Sequence, residues 1–272
     1  MKIGVFDSGY GGLTILKEIK KRLPQYDYLY VGDNARNPYG SRSFELVYEF
    51  TLQAVKALFE RGCHLVILAC NTASAKALRS IQQNDLPHID PNKRVLGVIR
   101  PTVEAIPLIT QSRHVGVLAT PGTVLSRSYS IELNKFAPDI EVTEHPCPMW
   151  VPIVENNEIG SPGADYFIKK EIDSIFKRDS KIDTLVLGCT HYPLLVNSIK
   201  KFVPESTKII CQGSLVAESL ECYLDRHADL QAQCSQGGST KFLTTEHSNK
   251  FDSLASLFLD KAVESETINL TD

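Results

Sequence analysis

Short apolar runs of strand length alternate with amphipathic stretches along the chain. The first run, Ile3–Phe6, leads through a glycine-rich turn to apolar residues at helical spacing, which are Leu13, Leu16, Ile19 and Leu23. This spacing predicts a β-strand followed by an amphipathic helix.

The same alternation continues through the rest of the chain. Further strands are predicted at Tyr28–Val31, Leu65–Ala69, Val95–Ile99, Val115–Ala119, Leu185–Leu187 and Lys208–Cys211. Residues 41–61 are predicted to form a long helix that ends at Gly62, and the polar stretch Asn84–Arg94 is predicted to be a loop. Strands that alternate with helices indicate parallel sheets covered by helices, so the predicted fold class is α/β.

Two of the apolar runs end in a cysteine that is followed at once by a polar turn. Cys70 ends the run in HLVILACNTASA (residues 64–75), and Cys189 ends the run in TLVLGCTHYPLL (residues 184–195). A buried parallel strand places its last residue at the carboxyl edge of the sheet, where open α/β folds bind ligands. The matched thiols therefore predict two half-sites that face one another, with an acid on one side of a substrate and a base on the other.

A cysteine at the end of a strand is more often a small buried apolar residue than a reactive group. That interpretation is kept for the five other cysteines, which are Cys63, Cys147, Cys211, Cys222 and Cys234. An ordinary thiol is only about 3% thiolate at pH 7, and a helix N-terminus stabilises an anion by roughly 0.3–1 kcal/mol. Reactive thiols at Cys70 and Cys189 therefore need further polar groups around them.

Polar residues do follow both cysteines, namely Asn71 and Thr72 after Cys70, and Thr190 and His191 after Cys189. Backbone N–H groups and hydroxyls at such positions can hold a small carboxylate. The same residue types are also ordinary helix caps, and the two roles are compatible. His191 is in addition a candidate proton shuttle or orienting group.

Two other loops carry polar groups after predicted strands. In DSGYGG (residues 7–12), Asp7 and Ser8 offer a carboxylate and a hydroxyl suited to an ammonium group or a nearby thiol, although a helix cap and tight turn would use them equally well. This segment is neither a dinucleotide-binding fingerprint nor a P-loop. The loop Gly32–Gly40 ends in Tyr39 and Gly40, and its backbone amides could bind an anion.

Composition narrows the class of protein. The 272 residues are 43% hydrophobic and 22% charged with a net charge of −3, so no basic field indicates a nucleic-acid or anionic-membrane partner. No run approaches the roughly 20 apolar residues of a membrane span, and no signal peptide is evident, so a soluble cytoplasmic protein is expected. An odd number of cysteines without a C-x-x-C pair predicts neither a disulfide framework nor a structural zinc site. We therefore expect no metal.

The segments DSGYGG, GD-x-AR-x-PYG, ACNTASA and LGCTHYPLL occur in this order, and together they resemble the glutamate racemases of the cofactor-independent aspartate/glutamate racemase superfamily. The resemblance runs over most of the chain. It implies two α/β domains with parallel-rich sheets related by pseudo-twofold symmetry, an active site in the interdomain cleft, and a homodimer. The implied domains are residues 1–98 with 209–272, and residues 99–208.

The resemblance also implies a chemistry, the interconversion of L- and D-glutamate by two bases without a cofactor. Cys70 would act on D-glutamate and Cys189 on L-glutamate, tuned by Asp7, Glu155 and His191. The implied substrate contacts are Asp7, Ser8, Tyr39, Gly40, Asn71, Thr72, Thr190 and His191; Asp33 is retained, and Thr120 and Thr123 would line the site from the second domain. D-Glutamate would feed peptidoglycan synthesis in a walled bacterium. Departures from the family pattern occur at Tyr10, Asn37, Arg100 and the segment Gln212-Gly213-Ser214.

Three other functions stay open on the residues alone. A related racemase could act on aspartate or another amino acid. A cysteine-dependent acyl transferase or amidotransferase could use Cys189 with His191, which leaves Cys70 without a role. A non-catalytic amino-acid-binding protein would explain the carboxylate-binding loops but predicts no hydrogen exchange at Cα.

Overall fold

The computed structural model describes residues 1–270 and shows two parallel β-sheets flanked by helices. In chain order the strands are β1 (Ile3–Asp7), β2 (Tyr28–Gly32), β3 (Leu65–Leu68), β4 (Arg94–Gly97), β5 (His114–Ala119), β6 (Glu141–Pro146), β7 (Thr184–Gly188), β8 (Lys208–Ile210), β9 (Thr240–Thr244) and β10 (Ser265–Thr267). The first sheet has the order β10-β9-β2-β1-β3-β4, and the second has the order β6-β5-β7-β8. The predicted α/β class with two parallel sheets is confirmed.

Helices fill the connections between the strands. They are α1 (Leu13–Arg22), α2 (Phe44–Glu60), α3 (Asn71–Lys76), α4 (Leu78–Ser80), α5 (Leu86–Ile89), α6 (Ile99–Ile109), α7 (Pro121–Ser126), α8 (Ser128–Phe136), α9 (Trp150–Glu155), α10 (Pro162–Arg178), α11 (Val196–Ile199), α12 (Gln212–Arg226), α13 (Ala228–Gln233) and α14 (Ser248–Leu259). Short 3₁₀ segments occur at Asn34–Arg36, Tyr39–Ser41 and Tyr192–Leu195, and a π-helical turn at Ile81–Asp85. Within residues 1–270, no helix is both long and apolar enough to cross a lipid bilayer.

The strand order repeats between the two halves. In the first sheet the order β2-β1-β3-β4 is formed by the first four strands of the chain, and the next four strands form the same order as β6-β5-β7-β8. Strand β3 therefore corresponds to β7, and β1 corresponds to β5. Since Cys70 lies two residues beyond β3 and Cys189 directly follows β7, the two cysteines occupy equivalent places at the carboxyl edges of their sheets.

The chain crosses between the two sheets twice. It leaves the first sheet after β4, passes along α6 to β5, and returns from β8 along α12 to β9. The predicted division at residues 98 and 209 stays a proposal. However, β8 pairs with β7, so a limit between residues 208 and 209 would lie inside a strand of the second sheet, and a limit after Ile210 fits the pairing better.

Two predicted segments differ from the structure at their ends or in kind. The helix predicted over residues 41–61 begins at Phe44, because the Ser43 hydroxyl caps it by accepting from the Leu46 N–H, and it is followed by Gly62 with a positive φ of 83°. The stretch Asn84–Arg94 was predicted to be a loop, and this prediction is wrong for its first part, which contains part of the π-helical turn and all of α5.

The strand predictions were incomplete at the edges. The predicted strand Val95–Ile99 is β4, which runs from Arg94 to Gly97, and Ile99 instead begins α6. Strands β6, β9 and β10 were not predicted. Strands β6 and β10 lie at sheet edges and are partly exposed, so their sequences lack the continuous apolar run of the central strands.

Candidate active site

The two cysteines line one small cavity of about 110 Å³ between the sheets. Of the residues predicted from the sequence, those that line it are Ser8, Tyr39, Gly40, Cys70, Asn71, Thr72, Thr120, Cys189, Thr190 and His191. The cavity is far smaller than the roughly 300–1,000 Å³ of pockets that take drug-sized ligands. It therefore suits a small polar molecule held between two thiols.

Four other predicted residues lie behind this lining. Asp7, Asp33, Thr123 and Glu155 are outside the cavity wall, and each hydrogen-bonds a residue that forms it. Their geometry suits groups that orient the lining. Direct contact between Asp7 and a substrate stays a prediction.

Cys70 lies at the N-terminus of α3, where its sulfur caps the helix. Its Sγ accepts from the Ala73 N–H at 3.5 Å and lies 3.4 Å from the Ser8 Oγ. Burial, aided by the negative charge of Asp7, raises the pKa of Cys70 to about 12, although the Ser8 and Ala73 hydrogen bonds oppose the rise. Cys70 is therefore a neutral thiol and a proton donor.

Cys189 lies beside a histidine–carboxylate pair. Its Sγ is 3.9 Å from His191 Nδ1, and His191 Nε2 is 2.9 Å from Glu155 Oε1. Burial lowers the pKa of His191, but the hydrogen bonds and charges of Cys189 and Glu155 outweigh it and raise that pKa to about 10. A cationic His191 attracts negative charge that develops on the Cys189 sulfur.

Asn37 supports this pair from the first half of the molecule. Its Nδ2 donates to Glu155 Oε1 at 2.8 Å and to Oε2 at 3.1 Å. From the sequence, Asn37 is only a departure from the family pattern, and no role was predicted for it. Its position in the loop Gly32–Gly40, whose backbone amides were predicted to bind an anion, was the available signal.

Asp7 links the two halves beneath the cavity. Its carboxylate accepts from the Gly9 N–H at 2.9 Å and, more weakly, from the Thr190 hydroxyl at 3.4 Å. Burial raises the pKa of Asp7 against the opposing effects of His191 and these hydrogen bonds. The backbone at Gly11 also approaches Thr190 closely. This approach needs glycine, because an added Cβ would clash with the Thr190 Oγ1.

Hydroxyl groups join the halves on the other side of the cavity. The Thr72 Oγ1 lies 2.9 Å from the Thr120 Oγ1 and 3.3 Å from the Thr123 Oγ1. In the Gly32–Gly40 loop, the Tyr39 hydroxyl donates to Asp33, which also accepts from Arg36 Nε at 2.7 Å. These bonds hold Thr72 and Tyr39 in the cavity wall.

Cys147 was predicted only to be a small buried apolar residue. It is buried as expected, but it also lines the cavity beside Pro148. Burial raises its pKa well above that of an ordinary thiol, so it is a neutral group in the wall. The segment that begins at Cys147, CPMWVPIVE (residues 147–155), also contains Glu155.

A group of side chains that could hold a metal ion lies elsewhere. Ligand atoms of His114, Glu141 and Asp179 fall within 4.8 Å of one another, at the amino ends of β5 and β6. Glu141 is exposed, and His114 Nδ1 already lies within hydrogen-bonding distance of Asp179 Oδ2, at 2.8 Å. None of the three lines the cavity of the cysteines.

The chain matches the family model described as Asp/Glu/hydantoin racemase over residues 11–217. It belongs to this family. The glutamate racemase of Ruegeria sp. (strain TM1040) is 39% identical over 273 residues, which cover 97% of this chain and 98% of that protein. The predicted resemblance is confirmed.

Solved structures of this racemase family agree in fold. The glutamate racemase RacE1 from Bacillus anthracis superposes with a TM-score of 0.90 at 34% identity, covering 99% of this chain and 97% of that one. The glutamate racemase from Francisella tularensis, solved in complex with D-glutamate, gives a TM-score of 0.88 at 34% identity and covers 99% and 98% of the two chains. The predicted architecture of two α/β domains is therefore that of the family.

Proposed function

We propose that this protein interconverts L- and D-glutamate by proton transfer at Cα between Cys70 and Cys189, without a cofactor. The observation that carries the proposal is the placement of two thiols, on equivalent strands of two halves with the same strand order, in the wall of one small cavity. A single-nucleophile reaction needs only one of them. Inversion of a stereocentre needs a base on one face and an acid on the other.

In the L-to-D direction the Cys189 thiolate removes the Cα proton, and the electron pair of the C–H bond passes to the α-carbon and its carboxylate. The Cys70 thiol then donates its proton to the opposite face of that carbon. The reaction leaves a thiol at Cys189 and a thiolate at Cys70, so a proton must return through solvent or through the reverse reaction. The raised pKa of Cys70 suits it to start as the acid.

The cavity wall also supplies groups for the substrate. Backbone N–H groups at the start of α3, with the side chains of Asn71 and Thr72, suit a carboxylate. Ser8, Tyr39, Gly40, Thr190 and His191 complete the proposed substrate contacts, and Asp7 and Glu155 are proposed to act through them. Because the site holds a charged intermediate away from water, such fixed dipoles stabilise it more than they would in solution.

Glutamate is preferred over aspartate as the proposed substrate because the curated relatives that match nearly the whole chain are glutamate racemases. On the resemblance to that family we further propose that the D-glutamate serves peptidoglycan synthesis and that the protein acts as a cytoplasmic homodimer. Size-exclusion chromatography with light scattering tests the dimer.

Incubation of the protein with L-glutamate in D₂O tests the activity. A racemase incorporates deuterium at Cα and drives the circular dichroism signal of glutamate to zero. A binding protein would give neither change, and the same assay with L-aspartate tests the runner-up substrate. Hydrolysis or transfer of an acyl group without Cα exchange would instead support the acyl-transfer alternative.

A further inference from the structure

A closed ring of three hydrogen bonds ties Asn71 to the second half of the molecule. Gln212 Nε2 donates to the Tyr129 hydroxyl at 2.8 Å, the Tyr129 hydroxyl donates to Asn71 Oδ1 at 2.6 Å, and Asn71 Nδ2 donates to Gln212 Oε1 at 2.7 Å. All three residues are at least 98% buried. Each group in the ring donates once and accepts once, so the bonds reinforce one another.

Groups outside the ring determine which of its members donate and which accept in each hydrogen bond. Gln212 Nε2 also faces the Thr102 Oγ1 at 2.8 Å and the backbone carbonyl of Val98 at 3.3 Å, and the Thr102 hydroxyl itself donates to that carbonyl. A carbonyl can only accept, so it favours the amide N–H₂ of Gln212 on its side rather than the amide oxygen. That orientation leaves Gln212 Oε1 towards Asn71, and the orientation of the Asn71 amide follows.

The ring lies where the chain passes between the sheets. Val98 separates β4 from α6 at the first crossing, and Gln212 begins α12 directly after the second sheet ends. Tyr129 belongs to α8, on the second half. Asn71 follows Cys70 and lines the cavity. Gln212 therefore lies on the second crossing segment, and its side chain contacts the first crossing segment and a residue of the candidate site.

We propose that Gln212, acting with Tyr129, is a positioning residue that fixes the side-chain amide of Asn71 for substrate binding. One N–H of Asn71 is used by the ring, and its second N–H has no hydrogen-bond partner within residues 1–270, so it remains for a substrate oxygen. This inference rests on the proposed glutamate racemisation. The segment that contains Gln212 departs from the family pattern, so the resemblance assigns it no role.

Two variants test the ring from different sides. Gln212→Met keeps a similar length but removes all of the amide's hydrogen bonds, and Tyr129→Phe keeps the aromatic side chain and removes only the hydroxyl. Each is expected to raise the KM for glutamate about tenfold, the effect of about one net hydrogen bond, while kcat changes less than about threefold. Because both break the same ring, the double variant should be no worse than the poorer single variant.

Thr102→Val is the matched control. It removes a buried hydroxyl that contacts Gln212 and the Val98 carbonyl but is not part of the ring, and Gln212 can still donate to both Val98 and Tyr129. Its KM for glutamate should equal that of the wild type, even where its thermal midpoint falls. Thermal midpoints of all four variants separate loss of stability from loss of positioning.

Unchanged KM values in Gln212→Met and Tyr129→Phe would overturn the proposal, as would a KM rise in Thr102→Val equal to theirs. Strictly additive effects in the double variant would contradict a ring that acts as a unit. Should Gln212→Met not fold, Tyr129→Phe decides the matter by its KM. If the wild-type protein itself exchanges no deuterium into glutamate, the proposed function fails, and this result is distinct from unaltered kinetics in the variants.

Discussion

The two cysteine half-sites share a backbone design and differ in their electrostatics. Cys70 and Cys189 follow equivalent strands and are equally buried. Cys70 faces the hydroxyl of Ser8 and the nearby negative charge of Asp7, whereas Cys189 faces His191, whose pKa is raised with the help of Glu155. The two halves share one strand order, so they place the two thiols in equivalent positions. The side chains around the thiols differ, so Cys70 has an anionic neighbourhood and Cys189 has a cationic one.

This asymmetry has a thermodynamic limit. The enantiomers of glutamate have the same free energy in an achiral solvent, so kcat/KM must be equal in the two directions for the wild type and for every variant. A substitution in one half-site therefore cannot lower kcat/KM in one direction only. Its effect on one half-site appears instead in isotope effects and in hydrogen exchange without inversion, which report on the individual proton transfers.

The largest effect is expected from loss of either thiol. Cys70→Ala and Cys189→Ala should each lower racemisation by about 10³-fold or more, because each removes one of the two general acid–base groups. In D₂O, Cys70→Ala should still exchange the Cα hydrogen of L-glutamate, and Cys189→Ala that of D-glutamate, each without inversion.

Replacement of the exposed Cys222 by alanine is the control and should leave the rate unchanged. Racemisation by either cavity variant at more than a tenth of the wild-type rate would rule out the two-thiol mechanism. Exchange of both enantiomers by each variant would show that the half-sites are not selective for opposite faces.

A smaller effect is expected from His191→Gln, which removes the cation beside Cys189. We expect kcat to fall about 10²-fold, within the range for loss of a general acid–base partner. Proton removal by Cys189 should then limit the rate more strongly, so the deuterium isotope effect should rise more for α-deuterated L-glutamate than for the D-enantiomer. The matched control is His145→Gln, which breaks a similar pair with Glu171 away from the cavity. Equal isotope effects for both enantiomers would contradict an assignment of His191 to the Cys189 half-site.

Ser8→Ala probes the other half-site and should lower kcat about tenfold, the effect of about one hydrogen bond. The Ser8 hydroxyl lowers the pKa of Cys70 against the effect of burial, so its loss should hinder proton removal by Cys70. The isotope effect should therefore rise for α-deuterated D-glutamate, opposite to the result for His191→Gln. Ser41→Ala is a control, because Ser41 lines the cavity without a hydrogen bond to either thiol. A rise confined to L-glutamate would refute the assignment.

The smallest effect at neutral pH is expected from Glu155→Gln, whose main consequence lies in the pH profile. Glu155 helps to raise the pKa of His191 to about 10 from its usual 6.5, so its loss should lower that pKa and move the alkaline decline of kcat to lower pH. A raised pKa in the folded protein adds stability that is complete below pH 6.5 and is lost as the pH rises towards about 10. Between pH 6.5 and about 10, the free energy of unfolding of Glu155→Gln should therefore fall less than that of the wild type.

Glu158→Gln provides the control for this profile, since Glu158 is exposed on the segment after α9. Its alkaline limb and its unfolding free energy should follow those of the wild type. An alkaline limb of Glu155→Gln that coincides with the wild type would show that the charge of Glu155 does not govern His191.

The residues of the candidate site that could be predicted from the sequence are those whose pattern lies within one short segment of the chain. Cys70 with Asn71 and Thr72, and Cys189 with Thr190 and His191, could be found because an apolar strand and its polar turn are adjacent in sequence. Glu155, by contrast, was predicted only through the family resemblance. Its neighbourhood shows no local pattern that predicts a contact with His191 or Asn37.

The alternation of apolar and polar positions by itself determined the α/β class, the central strands and the two matched cysteine turns, because burial of a parallel strand requires a continuous apolar run. Only the tertiary structure decided that the halves repeat one strand order, that Asn37 reaches Glu155, and that Gln212 closes a ring with Tyr129 and Asn71. These contacts join residues 58 to 141 positions apart. Their partners are chosen by how the two sheets pack, and periodicity within a segment carries no information about that packing.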